Sequence, residues 1–162
     1  MNGPILSIIT VNFNNNLGLL KTLESVSSQS FSSYEHIIID AGSTDGSRET
    51  IIQYEKENPH LSFWSSESDK GIYDGMNKGI DHAKGQYLYF LNSGDCLSQD
   101  ILAKIPFDGT EYLYGDTILF YKRKTKKRVY PDTLDLIYLS DNSLHHQSCF
   151  IHHTLFKDKR YD

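Results

Sequence analysis

Three aspartates each follow a run of apolar residues typical of a buried strand: Asp40, Asp69 and Asp95. In an open parallel sheet, ligands bind outside the carboxyl ends of the strands, so we expect these side chains to line one crevice. Carboxylates in one cleft repel each other unless a cation lies between them, and a divalent cation with phosphate oxygens meets that need. A carboxylate can also accept hydrogen bonds from a base or a ribose. The alternative is structural, because aspartates at strand ends are common turn formers and helix caps.

Glycines are frequent in the loops and helix starts that follow these strands. Glycine allows the backbone to approach a ligand closely. The sequence has no GxxxxGK[ST] phosphate loop, and no GxGxxG follows the first strand, so a dinucleotide-binding fold is disfavoured. The glycines in question are Gly42, Gly46, Gly71, Gly75, Gly79 and Gly94.

Strands and helices alternate in the first two thirds of the sequence. Strands are predicted at residues 6–11, 36–40, 61–65 and 86–91. Helices are predicted at 17–27, from Asp45 or Ser47 to the residue before Pro59, at 76–83 and at 99–105, with a loop at 69–74. This alternation favours right-handed βαβ crossovers and a mostly parallel sheet. Later strands, at 111–113, 117–121, 128–130 and 148–152, predict an α/β fold with a β-richer C-terminal part.

Length and composition indicate one globular domain spanning residues 1–162. Cys96 and Cys149 form no close pair, which argues against a disulfide framework or zinc ribbon and favours a reducing cytoplasm. The N-terminus lacks the basic segment of a signal peptide, and no apolar stretch approaches the ~18 residues of a membrane-spanning helix.

Charged residues are distributed unevenly along the sequence. The net charge is −5, which excludes a general binder of polyanions, yet residues 122–128 hold six of the 16 basic residues. The remainder has 10 basic and 21 acidic residues, a balance of −11. The cluster could dock on an anionic membrane at ~1 kcal/mol per basic residue, or bind nucleic acid. A solvated hairpin tip is slightly favoured, and the acidic body argues against nucleic acid.

Four histidines, His145, His146, His152 and His153, suggest a metal site. On a strand, His146 and His152 would share a face with Ser148. Structural zinc is not expected, since cysteines or acids at tetrahedral spacing do not accompany them.

Four blocks, in their order and spacing, resemble glycosyltransferase family 2. They are residues 7–12 (SIITVN), 38–46 (IIDAGSTDG), 66–79 (SESDKGIYDGMNKG) and 90–95 (FLNSGD), with weaker blocks at 114–116 (YGD) and 146–148 (HQS). The resemblance implies a GT-A fold, a nucleotide-diphosphate sugar donor, often UDP-linked, a divalent cation (Mn²⁺ or Mg²⁺) and inversion at the anomeric carbon. It implies a glycan or lipid-linked acceptor, as in bacterial capsule, exopolysaccharide and lipopolysaccharide enzymes. Residues 1–105 would bind the nucleotide sugar, and 106–162 would be part of the acceptor side.

The resemblance also implies roles for individual residues. Asp95 matches the metal-binding end of the family's DXD-like motif, and Asp40 is similar to the residue that hydrogen-bonds the base. Asp69 and Lys70 match the block that contacts the nucleotide or donor, and His146 becomes a cleft residue near the diphosphate. The donor-binding set is Thr10, Val11, Asn12, Asp40, Gly42, Ser43, Asp69, Lys70, Asn77, Ser93, Gly94 and His146, with Asp95 as the metal ligand.

Two departures from the family pattern limit these roles. The turn at 92–95 has one acid, so a bound cation must depend on diphosphate oxygens and water. Family members continue past Asp162, where the general base and much of the acceptor site lie, so the chain is expected to be truncated or degenerate. Asp116 and Asp141 are candidate substitutes for the base, neither of them favoured.

The sequence therefore leaves three candidate functions. The first is a donor-using glycosyltransferase, and the second is a catalytically incomplete nucleotide-sugar-binding module. The third, a nucleotidyltransferase, ranks last because the loop at 12–16 carries no charge to hold a triphosphate.

Overall fold

The computed structural model of the chain describes residues 3–122 and 124–162. The strands are β1 (Leu6–Asn12), β2 (Tyr34–Asp40), β3 (Leu61–Ser66), β4 (Tyr87–Phe90), β5 (Tyr112–Tyr114), β6 (Thr117–Tyr121), β7 (Lys124–Arg128) and β8 (Cys149–His152). The helices are α1 (Asn16–Ser27), α2 (Ser47–Glu57), α3 (Ile72–His82) and α4 (Leu136–Asp141), with 3₁₀ turns at Leu102–Lys104, His146–Ser148 and His153–Phe156. In the described residues, no helix has the length and apolar character needed to span a bilayer.

Six strands form one sheet in the order β3-β2-β1-β4-β8-β5. β3, β2, β1 and β4 are parallel, whereas β8 runs antiparallel to both β4 and β5. β6 and β7 pair separately as an antiparallel hairpin. The predicted α/β class with a mostly parallel sheet is confirmed. Because the four parallel strands end on the same side, the loops that follow them share one edge of the sheet.

Helices cover both faces of this sheet. On one face, Leu19 of α1 and Ile51 of α2 pack with Ile38 of β2. On the other face, Met76 and Ile80 of α3 pack with strands β1, β2 and β4. Burial on both faces explains why the central strands read as continuous apolar runs.

The contact between α3 and β1 depends on two glycines. A Cβ atom on Gly79 would lie 2.4 Å from Cγ2 of Ile9, and one on Gly75 would lie 2.8 Å from Cγ1 of Val11. Both glycines were expected to admit a ligand, but their missing side chains instead let the helix approach the sheet.

Two predicted helices differ from the structure. α3 begins at Ile72, so the predicted loop at 69–74 is shorter than expected. The predicted helix at 99–105 is only a 3₁₀ turn. The Gln29 side chain bonds two backbone groups of this segment: it accepts from the Leu102 amide at 3.1 Å and donates to the Gln99 carbonyl. These two groups therefore have partners without forming a helix.

The C-terminal strands also differ. The predicted strand at 128–130 is wrong, because the basic cluster itself forms β7, and α4 was not predicted. Arg123 of that cluster lies outside the described residues. His146 is not on a strand with His152, because a 3₁₀ turn precedes β8. The Ser148 amide and hydroxyl close this turn on the His145 carbonyl, at 3.0 and 2.9 Å.

We expect Gly79→Ala to destabilise the protein by about 1–3 kcal/mol, since the new methyl group would overlap Ile9 in a packed core. Chemical denaturation measures the change. Gly115→Ala is the matched control, because no heavy atom of residues 3–122 or 124–162 lies within 4 Å of the position that its Cβ would take. Equal stability of the two variants would show that α3 can move away from β1 at little cost.

A buried histidine makes the stability depend on pH. His36 has no exposed surface, and it contacts the Thr10 hydroxyl at 2.9 Å and the Tyr54 hydroxyl at 3.1 Å. Burial lowers the pKa of His36 to about 3. Above the ordinary histidine pKa of about 6.5, neither the folded nor the unfolded state is protonated at this position, and the stability contribution is complete. Below that pH the unfolded chain binds a proton that the folded protein excludes, so stability falls.

We therefore expect the unfolding free energy to decrease between about pH 6.5 and pH 4 with a His36 contribution approaching 1.4 kcal/mol per pH unit. Denaturation curves of His36→Gln should show a shallower pH dependence than wild type. The exposed His153→Gln serves as control. An unchanged slope in His36→Gln would contradict the assignment.

Candidate functional site

Hydrogen bonds join the loops after the four parallel strands into one continuous edge. The Asn14 amide donates to the Ser43 hydroxyl at 2.8 Å, which links the loops after β1 and β2. The Asn15 side chain donates to the Ser93 carbonyl at 2.9 Å and so reaches the turn after β4. The Ser66 hydroxyl, at the end of β3, donates to Asp40 at 2.6 Å. Because Asp40, Asp69 and Asp95 follow three of these strands, the structure brings all three to this edge, which we call the strand-end edge.

Asp40 is a buried junction of the strand-end edge. Its side chain has no exposed surface. It accepts hydrogen bonds from the Asn12 side-chain nitrogen Nδ2 at 2.7 Å and from the Ser43 backbone amide at 3.0 Å. It also accepts from the Ser43 and Ser66 hydroxyls at 2.5 and 2.6 Å. These four donors occupy about as many acceptor positions as a carboxylate has. A base that bonded Asp40 directly would have to displace one of them.

Burial acts to raise the pKa of Asp40, but the hydrogen bonds from Ser43, Ser66 and Asn12 outweigh it and hold the pKa below its ordinary value. The carboxylate is therefore charged at neutral pH, and its charge is compensated by dipoles from the ends of β1 and β3 and the loop after β2.

Three buried oxygens along this edge have no hydrogen-bond partner among the described residues: Asn12 Oδ1, Asp69 Oδ2 and Asn92 Oδ1. They belong to the end of β1, the loop after β3 and the turn after β4. A buried acceptor without a donor costs about 1–3 kcal/mol. Three such acceptors on one edge fit a ligand that supplies hydrogen-bond donors or a cation.

Asp69 lies over the first turn of α3. Its Oδ1 accepts from the Gly71 amide at 2.9 Å. Its unpartnered Oδ2 lies 3.3 Å from the position that a Cβ on Gly75 would take. Lys70, next in the chain, is exposed, and its amide donates to Asp74 at 3.2 Å. The carboxylate of Asp69 is thus oriented by one backbone bond and keeps one oxygen available.

The turn that carries Asp95 is fastened to α1. The Thr22 hydroxyl accepts from the Gly94 amide at 3.0 Å and donates to the Asp95 carbonyl at 2.8 Å. Gly94 has a φ of 102°, a conformation that favours glycine. The Asp95 carboxylate accepts a hydrogen bond from the Gln147 side-chain nitrogen Nε2 at 3.1 Å, so the 3₁₀ turn before β8 contacts the turn after β4.

His146 lies beside this carboxylate. Its Nε2 contacts the Asn92 side-chain nitrogen at 3.2 Å. Burial lowers the pKa of His146, the negative charge of Asp95 acts to raise it, and His145 acts to lower it. The imidazole is therefore neutral at neutral pH, the form in which histidine binds metals.

The group around Asp95 fits a divalent cation. In the described parts of the chain, no group of three or more His, Cys, Asp or Glu side chains could hold a metal ion by itself. Three candidate ligands belong to this region: the Asp95 carboxylate, the unpartnered amide oxygen of Asn92, and the neutral His146 imidazole, which contacts the Asn92 side-chain nitrogen. Manganese and magnesium accept oxygen ligands, and imidazole suits several transition metals. Oxygens of a diphosphate and water would complete such a coordination shell.

Several predicted donor-binding residues are engaged elsewhere. The Thr10 side chain is buried and contacts His36, and the Val11 side chain packs against α3. The Asn77 side chain donates to the Tyr161 carbonyl at 2.8 Å and accepts from the Tyr161 amide at 3.0 Å. Asn77 therefore fastens the last described segment to α3, and its polar atoms already have partners. The remaining predicted residues, Gly42, Ser43 and Ser93, lie in the loops of the strand-end edge.

Sequence reasoning missed residues that build this edge. Asn15 both caps α1, accepting from the Gly18 amide at 3.2 Å, and bonds Ser93. Asn92 and Gln147 flank predicted residues, yet their contacts with His146 and Asp95 cross more than fifty positions of the chain. For Asn92 the available signal was local, a polar residue shortly after a strand, whereas Gln147 precedes β8 and had no such signal.

Residues 7–152 match the profile of the family described as Glycosyl transferase family 2. The chain belongs to glycosyltransferase family 2. Similar curated proteins include an uncharacterised glycosyltransferase of Mycobacterium tuberculosis, 42% identical over 103 residues, which are 62% of this chain and 38% of that protein. A PGL/p-HBAD biosynthesis glycosyltransferase of Mycobacterium bovis is 30% identical over 125 residues, which are 74% of this chain and 49% of that protein. The chain thus spans less than half the length of these relatives.

Solved structures share the fold. A mannosyltransferase from Pyrobaculum calidifontis, in complex with GDP-Man and Mn²⁺, superposes with a TM-score of 0.57 at 21% identity, over 62% of this chain and 31% of that chain. Residues 1–349 of TarS from S. aureus, in complex with UDP, give a TM-score of 0.56 at 22% identity, over 61% of this chain and 30% of that chain. The predicted GT-A fold of this family 2 chain is confirmed.

We expect Asp40→Asn to destabilise the protein by about 1–3 kcal/mol. The side-chain nitrogen of the new asparagine would face the Ser43 and Ser66 donors, whose hydrogen bonds a carboxylate oxygen now accepts. Urea denaturation measures the loss, and the exposed Asp158→Asn is the matched control. If Asp40→Asn were as stable as this control, the hydrogen bonds around Asp40 would not hold the edge together.

Proposed function

We propose that the chain is the donor-binding part of an inverting glycosyltransferase. It would move a sugar from a nucleotide-diphosphate donor, with UDP-sugars as the first candidates, to a glycan or lipid-linked acceptor in cell-surface polysaccharide biosynthesis. The observation that supports this most directly is the set of unpartnered oxygens of Asn12, Asp69 and Asn92 on one edge of the sheet. Membership of family 2 narrows the ligand to an activated sugar.

The nucleoside would bind across the loops after β1, β2 and β3. Hydroxyl and N–H groups of a base and ribose could donate to Asn12 Oδ1 and Asp69 Oδ2, which now have no donor. Asp40 would act through its partners, since it holds Asn12 and Ser43 in place. Gly42 has a φ of 75°, and a Cβ atom there would lie 3.2 Å from the Ser68 backbone nitrogen, so its missing side chain lets the loops after β2 and β3 pack closely.

The diphosphate would lie at the turn after β4. Asp95 would hold a divalent cation, and Asn92 Oδ1 and the His146 imidazole are further candidate ligands. Such a cation, when bound, stabilises the negative charge of a departing diphosphate. Gln147 would orient the Asp95 carboxylate, and Thr22 would hold its backbone.

Inverting transfer also needs a base that takes the proton of the acceptor hydroxyl as the bond to the sugar forms. Asp116 is paired with Lys127 at 2.8 Å and accepts from the Tyr130 amide. The hydrogen bond from Lys127 lowers the pKa of Asp116, which weakens it as a base. Asp141 ends the exposed helix α4. Because neither aspartate fits the role, a nucleotide-sugar-binding module without complete catalysis is the second candidate function.

Calorimetric titration of UDP, GDP and their sugars, with and without Mn²⁺, tests donor binding. We expect Mn²⁺ to tighten binding in wild type, and we expect Asp95→Asn to weaken that metal effect by about 10-fold or more. Asp158→Asn, exposed and remote in sequence, is the matched control. Full manganese enhancement in Asp95→Asn would show that the metal assignment is wrong.

Donor hydrolysis and transfer assays then separate the two candidates. Turnover with the same metal requirement supports the enzyme, whereas metal-dependent binding without turnover supports the module. Absence of nucleotide binding under both conditions would reject both.

A further inference from the structure

The hairpin β6–β7 lies apart from the main sheet and exposes large apolar side chains. Phe120 is 80% exposed, Tyr121 59% and Ile118 47%. Single exposed apolar residues are ordinary, but several together mark an interaction surface.

The same hairpin carries cations without acidic partners. Lys122, Lys124 and Lys126 are exposed, and none forms a salt bridge within the described residues. Tyr121 pairs with Lys124 across the hairpin, so aromatic and cationic groups lie together near its turn. Two other cations of the cluster are already engaged: Lys127 pairs with Asp116, and Arg128 contacts Asn142 at 3.3 Å.

Helix α4, which is joined to the base of the hairpin, also exposes large apolar side chains. Leu136 and Ile137 are 86% and 78% exposed. The contact of Arg128 with Asn142, the residue after α4, joins the end of the helix to the hairpin. We call Phe120, Tyr121, Lys122, Lys124 and Lys126, at the tip of the hairpin, the basic-apolar surface.

We propose that the basic-apolar surface docks the chain on an anionic membrane. The three lysine ammonium groups would contact lipid phosphates. Phe120 and Tyr121 lie on opposite faces at the tip of the hairpin, and both would enter the interface as the tip inserts, since aromatic side chains are favoured there. The rest of the chain has a charge balance of −11 and is repelled by the anionic membrane. The basic-apolar surface is therefore the part of the chain that can approach it. Nucleic acid is a poorer match, because one short basic run on an otherwise acidic chain is weak evidence for a nucleic-acid site.

This surface is separate from the proposed donor site but is connected to it. At the base of the hairpin, the Gly115 amide donates to the Ser148 carbonyl at 2.9 Å. Ser148 ends the 3₁₀ turn that carries His146 and Gln147. Docking would therefore hold the strand-end edge close to the lipid surface, where a lipid-linked acceptor would lie.

Vesicle flotation tests the docking without any activity measurement. The 162-residue chain is mixed with vesicles of phosphatidylcholine alone, or of phosphatidylcholine and phosphatidylglycerol in a three-to-one ratio. We expect binding to the anionic vesicles that weakens as salt is added. Replacing Lys122, Lys124 and Lys126 together by Gln should reduce this binding on the order of 100-fold.

A second triple variant, with Lys21, Lys56 and Lys104 replaced by Gln, is the matched control. It removes the same charge from exposed positions elsewhere and should bind as wild type does. Phe120→Ser with Tyr121→Ser should remove the binding that persists at high salt. Because all of these side chains are exposed, folding is checked by circular dichroism and is expected to be unchanged.

Four outcomes would overturn the proposal. They are no binding of wild type to anionic vesicles, equal binding to both kinds of vesicle, equal losses in the two triple variants, and binding to a nucleic acid duplex or single strand in place of vesicles.

Discussion

A carboxylate removed from solvent must take its hydrogen bonds from the protein, and Asp40 takes them from three separate parts of the chain. Asn12 comes from the end of β1, Ser43 from the loop after β2 and Ser66 from the end of β3. Each donor depends on the others being in place, because a buried charge that loses its partners is expensive. The strand-end edge is therefore organised around this buried charge.

Beside this saturated carboxylate lie polar atoms that the protein leaves unsatisfied. Asp40 has a donor for each acceptor position, whereas Asn12, Asp69 and Asn92 each keep one buried oxygen that has no hydrogen-bond partner in the described part of the chain. A folded protein tolerates such atoms mainly where a ligand or water satisfies them. The contrast separates residues that build the edge from residues that remain available to a donor.

The opposite arrangement holds on the hairpin. There the side chains of Lys122, Lys124 and Lys126 are exposed, and apolar side chains also face solvent, such as Tyr121, which pairs with Lys124. The 3₁₀ turn before β8 connects the two regions, because Gln147 contacts Asp95 while Ser148 contacts the base of the hairpin. One short segment thus links the proposed donor edge to the proposed membrane surface.

The sequence by itself determined the parallel α/β layout, the family and the location of Asp40, Asp69 and Asp95 at strand ends. These follow from local signals, since apolar runs and the polar residues that end them lie next to each other in the chain. Only the tertiary structure decided which side chains are occupied. In the folded chain, the Asn77 side chain is hydrogen-bonded to Tyr161, Thr10 contacts His36, and Gln147 donates to Asp95. The tertiary structure also made the basic cluster a strand by pairing it with β6. These outcomes depend on partners distant in the chain, and a local pattern carries no information about which of them will be adjacent.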